Sequence, residues 1–172
     1  MVRSLLIIAV LTSCFASNAA GQASAPQDVP SKEAALDQIA FIHGGTGPFA
    51  VAGYRIGERA LKETNLPRGT FTLEVIHKSP REVQFSCIAD GVQAATGVSV
   101  GKLNLRLEEV SADAVETVVR DRKTGQTFVF RLKPEFVKRF WKLPHDKLSS
   151  AGKEVLSLSD DEIFSVSRER QN

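Results

Sequence analysis

Three residues have side chains suited to metal binding: His43, His77 and Cys87. Two imidazoles and a thiolate, with water as the fourth ligand, satisfy the ligand count of a catalytic zinc site. Zinc or another divalent metal is therefore one prediction. No pair among the three has the local spacing of a metal motif such as Cys-x-x-Cys. The alternative is structural, with His43 capping a helix end, His77 partly buried in a strand and Cys87 serving as a small core residue.

Cys87 also raises the possibility of an enzyme. Near the N-terminus of a helix, the helix dipole lowers the pKa of a thiol and favours the nucleophilic thiolate. Such a nucleophile needs a base, and His43 and His77 are the candidates for it. We interpret His145, in its Pro-flanked stretch, as a structural or surface residue. The sequence leaves enzymatic activity open, and we favour a non-catalytic role.

Two glycine-rich segments are candidates for ligand binding. Residues 44–47 read Gly-Gly-Thr-Gly ahead of a helix, whose free N–H groups can bind an anion, or they form a simple turn between helices. Residues 96–102 read Thr-Gly-Val-Ser-Val-Gly-Lys and lack the P-loop spacing. We interpret them as a turn between helix and strand, from which Lys102 can bind a carboxylate or phosphate group.

Apolar periodicity predicts the helices that position these groups. Gly53 and Gly57, one turn apart, predict that another element approaches their backbone closely, and Gly91 interrupts a helix or marks tight packing. Ser31 is the predicted N-cap of the first helix, and a capping box starts the last one. The predicted helices span 31–43, 48–64, 82–96, a segment opening at Pro134, and 159–166.

Period-two alternation predicts the strands. They fall near 70–78, 103–107, 114–120 and 126–132, and Lys123-Thr124-Gly125 is a hairpin turn between the last two. After the first helix the order is α-β-α-β-β-β. The predicted fold class is therefore α+β, an α-β-α-β(3) core with a mixed, mainly antiparallel sheet packed by helices.

Composition indicates one globular domain. The chain has 172 residues, 42% hydrophobic and 24% charged, which suffices for a real core. A formal net charge of +2 without any Lys/Arg block offers no electrostatic basis for nucleic-acid binding. We place the domain at 31–143 and a C-terminal extension with a short helix at 144–172.

The N-terminus has the pattern of a secretory signal peptide. Arg3 precedes a short apolar run at 5–11 and then small residues, so residues 1–23 form the predicted signal and 24–30 a tether. The run is too short for a transmembrane helix. Residues 11–14 match a bacterial lipobox, with a signal-peptidase cut near residue 19 or 23 as the rival. We expect a periplasmic or envelope-anchored protein whose membrane contact is limited to the signal or a lipid on Cys14.

Both glycine-rich segments, with their flanks, resemble the FmdE-like family of formylmethanofuran dehydrogenase. Its first motif, His-Gly-His-x-Cys-Pro and then Gly-Tyr-Arg, corresponds to residues 43–48 and 53–55. Its second, Cys-x-x-Asp-Ala-Ile-Gln and then Thr-Gly-Cys-Thr-x-Gly-Lys-x-Asn-Leu, corresponds to 87–93 and 96–105. The resemblance covers most of residues 35 to 140 and implies the α-β-α-β(3) fold. The ligand-binding candidates at motif positions are His43, Tyr54, Cys87, Asp90, Gln93, Lys102 and Asn104.

Departures from the family pattern bear on function. Gly45, Gly47 and Val98 stand where the family has a His and two Cys, and its C-terminal zinc ribbon is absent. We therefore predict an accessory module that binds a small molecule or a metal ion between the two motif loops. The alternatives are an enzyme using His43, Cys87 and Asp90, and a lipid-anchored interaction protein of the envelope. No oligomeric state is predicted.

Overall fold

A computed structural model describes residues 31–169, so the predicted signal segment, the tether and Cys14 lie outside the described residues. The fold is α+β, as predicted. The helices are α1 (Lys32–His43), α2 (Pro48–Thr64), α3 (Val83–Thr96), α4 (Pro134–Phe140), α5 (Leu148–Val155) and α6 (Asp160–Ile163). The strands are β1 (Leu73–Ser79), β2 (Leu105–Glu109), β3 (Glu116–Asp121), β4 (Thr127–Leu132) and β5 (Phe164–Glu169). No helix within residues 31–169 is long and apolar enough to cross a membrane.

The strands form one mixed sheet in the order β2-β1-β3-β4-β5. β1 and β2 are parallel, and every other neighbouring pair is antiparallel. A parallel pair requires a crossover connection, and α3 supplies it between β1 and β2. Within the described residues, β2 and β5 are therefore the two edges of the sheet.

Local sequence sets the ends of the helices around the motifs. The Ser31 hydroxyl accepts a hydrogen bond from the Ala34 amide at 3.2 Å, so Ser31 is the N-cap of α1 as predicted. Gly44 ends α1 in the left-handed conformation, which glycine adopts without a steric penalty. Pro48 occupies the first turn of α2, where its missing N–H has no helical partner to lose.

Glycines bring the backbones of α2 and α3 into direct contact. A β-carbon on Gly53 would lie 2.1 Å from the Ile88 carbonyl oxygen, and one on Gly91 would lie 1.9 Å from the Ala50 carbonyl oxygen. Real β-carbons do not approach oxygen so closely, so only glycine permits this crossing. The predicted close approach at Gly53 and the tight packing at Gly91 are confirmed.

An aromatic cluster seats α4 against these two helices. The ring of Phe49 meets the rings of Phe85, Phe136 and Trp141 edge-on, with centroids 5.7, 5.6 and 6.4 Å away. Edge-to-face pairs at such distances add stabilisation beyond the burial of their area. The cluster joins the C-terminal half of the chain to the same core.

The prediction of a terminal helix through Val166 is wrong. The capping box at Ser159 and Glu162 is present, but α6 ends at Ile163 and residues 164–169 form β5, which pairs with β4. Pairing satisfies the open side of β4 and buries Phe164 against Phe130, with ring centroids 5.6 Å apart. A local capping signal carries no information about that distant partner.

Helix α5 was not predicted from the sequence, although it supports the first motif. It packs on α2 through Gly152, where a β-carbon would lie 1.7 Å from the Thr46 carbonyl oxygen. The Thr46 hydroxyl also donates a hydrogen bond to the Ser149 hydroxyl at 3.3 Å. Residues 44–47 are thereby held as a turn between α1 and α2.

Substituting Gly91→Ala should force α2 and α3 apart, because the added methyl group meets the Ala50 carbonyl. Overpacking of this kind leads us to expect a loss of at least about 3 kcal/mol in the free energy of unfolding. Urea denaturation followed by circular dichroism measures it. Gly101→Ala is the control, since its nearest neighbour is the Ser99 hydroxyl at 4.0 Å. A Gly91→Ala protein as stable as the control would contradict the described crossing.

Candidate functional site

The structure brings together one residue from each motif, His43 and Asp90. His43 is the last residue of α1, and its Nδ1 lies 2.8 Å from Oδ2 of Asp90 on α3. The two side chains are 22% and 44% exposed, so the pair is accessible to solvent. An ionised carboxylate only accepts, so Nδ1–H donates and Nε2 keeps its lone pair. This is the arrangement of a histidine whose orientation and tautomer are set by a carboxylate.

Cys87 lies one helical turn before Asp90 but is buried. Its thiol donates a hydrogen bond to the Gln84 carbonyl oxygen, with 3.2 Å between sulfur and oxygen. Burial raises the pKa of Cys87 to about 12, and the negative charge of Asp90 adds to that shift. The thiol is therefore neutral at physiological pH, which does not favour the nucleophilic role considered from the sequence.

His77 is fully buried on β1 and its ring is bound on both sides. Nε2 lies 3.0 Å from the Phe85 carbonyl oxygen, and Nδ1 lies 2.9 Å from the Thr117 hydroxyl. A carbonyl oxygen only accepts, so Nε2 carries the proton and Nδ1 accepts from the hydroxyl. Burial lowers the pKa of His77 to about 4, against the opposing effect of the Phe85 carbonyl. His77 thus joins β1 to β3 and to the first turn of α3.

The predicted metal ligands His43, His77 and Cys87 are not assembled into a site. Within residues 31–169 no group of three or more His, Cys, Asp or Glu residues is placed to hold a metal ion. The physical reason lies in their partners: His77 has both ring nitrogens bonded within the core, and His43 is turned towards Asp90.

Lys102 and Asn104, ligand candidates from the second motif, hold its loop together. The Lys102 ammonium donates to the carbonyl oxygens of Gly69 and Gly97 at 3.1 and 2.8 Å. The buried Asn104 amide accepts from the Ser99 amide and donates to the Leu73 carbonyl, both at 2.9 Å. These bonds connect the turn after α3 to the start of β1.

Tyr54, the tyrosine of the first motif, is buried in α2 and reaches α1. Its hydroxyl donates to the Gln38 side-chain oxygen at 3.4 Å. Burial raises the pKa of Tyr54 to about 12, and the charge of Glu58 contributes in the same direction. Tyr54 therefore acts as a neutral hydrogen-bond donor that orients Gln38.

Gln93 lies in an open groove between α1 and α3, with a volume of about 500 Å³. Asp90, Gln93 and Gly97 follow one another at helical spacing, so the groove and the His43–Asp90 pair occupy the same side of α3. The groove surface is mainly apolar. It is lined by Asp37, Gln38, Phe41, Ile42, Arg68, Gln93, Ala94, Gly97, Val98 and Ser99.

Sequence reasoning missed Arg68, the cation of this groove. Its guanidinium donates to the Gln38 side-chain oxygen and to the Ala94 carbonyl oxygen, each at 2.7 Å. Phe41 was also missed, although it is 89% exposed on an otherwise amphipathic helix. An isolated exposed phenylalanine beside a glycine-rich turn is the signal that would have indicated a binding surface.

The fold and the two motif segments define an α+β domain in which helices α1, α2 and α3 carry the candidate site. The chain belongs to the family described as FmdE, molybdenum formylmethanofuran dehydrogenase operon, whose model matches residues 42–165. Among solved structures it is similar to an FmdE-like protein of tungsten formylmethanofuran dehydrogenase from Syntrophus aciditrophicus. The TM-score is 0.54 at 21% identity, over 82% of this chain and 73% of that one, which indicates a shared fold. No curated protein matches the chain.

His77 predicts a pH dependence of stability. Its pKa is about 4 in the folded protein against an ordinary value of 6.5, so the unfolded chain binds the proton more readily. Stability is therefore complete above pH 6.5 and falls by up to about 3 kcal/mol as the pH drops towards 4. Urea titrations at successive pH values measure it. His77→Gln should flatten this part of the curve, whereas exposed His145→Gln should leave it unchanged. An unaltered slope in His77→Gln would refute the assignment.

Proposed function

We propose that this FmdE-family protein is an exported binding module that holds a small molecule in the groove between α1 and α3. The proposal rests on one observation, an apolar groove of about 500 Å³ that contains an anchored arginine and two amide side chains. Pockets for small molecules combine mainly apolar walls with a few placed polar groups. Export to the periplasm or envelope is part of the proposal and is supported by the signal pattern at 1–23.

The groove walls favour an apolar ligand body. Phe41 and Ile42 project from α1 and are 89% and 38% exposed, so a ligand lying on them would remove apolar surface from water. Ala94 and Val98 form the opposite wall and are themselves buried. Removal of such surface from water is the main favourable contribution to binding of this kind.

Arg68 favours a ligand with one anionic or hydrogen-bonding group. The two bonds from its guanidinium to Gln38 and Ala94 hold it in place, and arginine has five N–H donors in total. Asp37 places a negative charge on the same groove, which disfavours a multiply charged anion. The ligand class is therefore an apolar molecule with a single carboxylate, sulfonate or amide head.

The fluorescent probe 8-anilinonaphthalene-1-sulfonate has this chemistry and should bind with a stoichiometry of one. Phe41→Ala should raise its Kd about tenfold, equivalent to ~1.4 kcal/mol, through the loss of apolar contact. Arg68→Gln should weaken binding through loss of the cation. Fluorescence titration measures the Kd, and amide chemical-shift changes should fall at residues 37–42 and 93–99.

Val83→Ala is the matched control, because Val83 is 78% exposed and lies outside the groove. It should bind the probe as the unaltered protein does. The proposal fails if the Phe41→Ala and Arg68→Gln proteins bind the probe like this control. It fails equally if the shift changes fall on another surface.

A second candidate function, acid–base catalysis, is favoured by the 2.8 Å contact between His43 and Asp90. With Nδ1–H directed at the carboxylate, Nε2 is the nitrogen able to accept a proton from a substrate or water. The buried, neutral Cys87 thiol has no part in this version of the enzyme hypothesis.

Hydrolysis of p-nitrophenyl acetate provides a test of this second candidate. His43→Gln should lower kcat/KM by at least about 100-fold if Nε2 acts as a general base, and Asp90→Asn by a smaller factor. The exposed His145→Gln protein should retain the full rate. Equal rates for His43→Gln and His145→Gln would eliminate a catalytic His43.

A further inference from the structure

Strand β2 has an open edge on the sheet. Among the described residues it pairs with β1 alone, and its burial pattern runs from one buried residue to an exposed centre. Leu107, at that centre, is 59% exposed. Open edges carry unpaired backbone donors and acceptors that can pair with another strand.

Backbone hydrogen bonds show which residues direct their peptide groups outwards. The Val75 amide donates to the Asn104 carbonyl at 2.8 Å, and the Val110 amide donates to the Ser79 carbonyl at 3.2 Å. Peptide groups alternate sides along a strand, so the even-numbered residues of β2 face β1. Those of Leu105, Leu107 and Glu109 therefore point away from the sheet.

We propose that two copies of this chain pair through β2, antiparallel, about a two-fold axis at Leu107. In this register Leu107 lies opposite Leu107 of the second copy, and Leu105 lies opposite its Glu109. These are the residues with outward peptide groups, so each facing pair exchanges two backbone hydrogen bonds. The two sheets join into one continuous sheet, and the same surface is used on both copies.

The charges on β2 are self-complementary in this register. Arg106 and Glu108 lie on one face of the strand, and the axis at Leu107 sets Arg106 opposite Glu108 of the second copy. The symmetric pair forms at the same time. Within its own chain Arg106 already contacts Glu74 at 2.7 Å and Glu108 at 3.1 Å, so its side chain lies over the outer face of the sheet. Opposite charges facing each other across strands stabilise a pair.

Exposed apolar side chains cluster at the start of the same edge. Val100 and Leu103 lie in the turn that enters β2 and are among the largely exposed hydrophobic residues of the described chain. Phe71, also exposed, lies beside this turn, with its ring centroid 5.2 Å from the Lys102 ammonium. Apolar surface of this kind, continuous with a strand edge, is typical of a protein interface.

The opposite edge of the sheet lacks these features. In β5 the acid and the base are neighbours, Glu169 and Arg168, so their side chains lie on opposite faces of the sheet. No residue of β5 is among the exposed large hydrophobics. The self-complementary pattern is therefore a property of β2 rather than of edge strands in this fold.

The first test is the molar mass of the purified protein in solution. Sedimentation velocity from roughly 1 to 200 µM should show a concentration-dependent approach to the dimer mass. A monomer over the whole range would overturn the proposal.

Charge variants then test the register. Arg106→Glu sets like charges opposite each other at both symmetric positions, and so does Glu108→Arg. Each should raise the dimer dissociation constant at least about tenfold. A mixture of the two variants should recover the dimer, because Glu at 106 then faces Arg at 108 and Glu at 108 faces Arg at 106.

Recovery in the mixture separates a broken interface from a damaged fold, because a misfolded variant would not be restored by its counterpart. Lys153→Glu, the same charge change on exposed α5, is the control and should dimerise normally. A dimer that both β2 variants leave intact would overturn the proposal. Variants that stay monomeric in the mixture would overturn it as well.

Discussion

The crossing of α2 and α3 at Gly53 and Gly91 is the constraint on which the candidate site depends. With no side chain at either position, the two backbones touch, and the carbonyl groups of Ile88 and Ala50 occupy the space that a methyl group would take. Residue 90 precedes the contact at Gly91 and is turned towards α1, where Asp90 meets His43. A wider crossing would move Asp90 and the groove face of α3 away from α1 together.

Most polar residues of the second motif serve this scaffold. Lys102 and Asn104 bind backbone groups of the turns on either side of them, and His77 joins two strands to α3. Within residues 31–169 no buried side-chain nitrogen or oxygen lacks a hydrogen-bond partner. A match to the family at these positions therefore reports the fold, since a side chain already bonded inside the protein has little capacity left for a ligand.

The three helices around the site could be predicted almost to the residue, because their signals are local. Ser31, Gly44, Pro48 and Gly97 terminate helices through their own backbone preferences and caps. The C-terminal part could not be predicted in the same way. A capping box starts α6, yet the next residues form β5 because the open side of β4 is available to them.

The sequence by itself determined the α+β class, the helices of both motifs, and the glycines that let α2 and α3 touch. Each of these follows from spacing or from the conformational freedom of a single residue. Only the tertiary structure decided which polar side chains remain available, because burial and hydrogen-bond partners come from distant parts of the chain. It placed His77 and Cys87 in the core and His43 against Asp90, and it set Arg68 in a groove and β2 at an open edge.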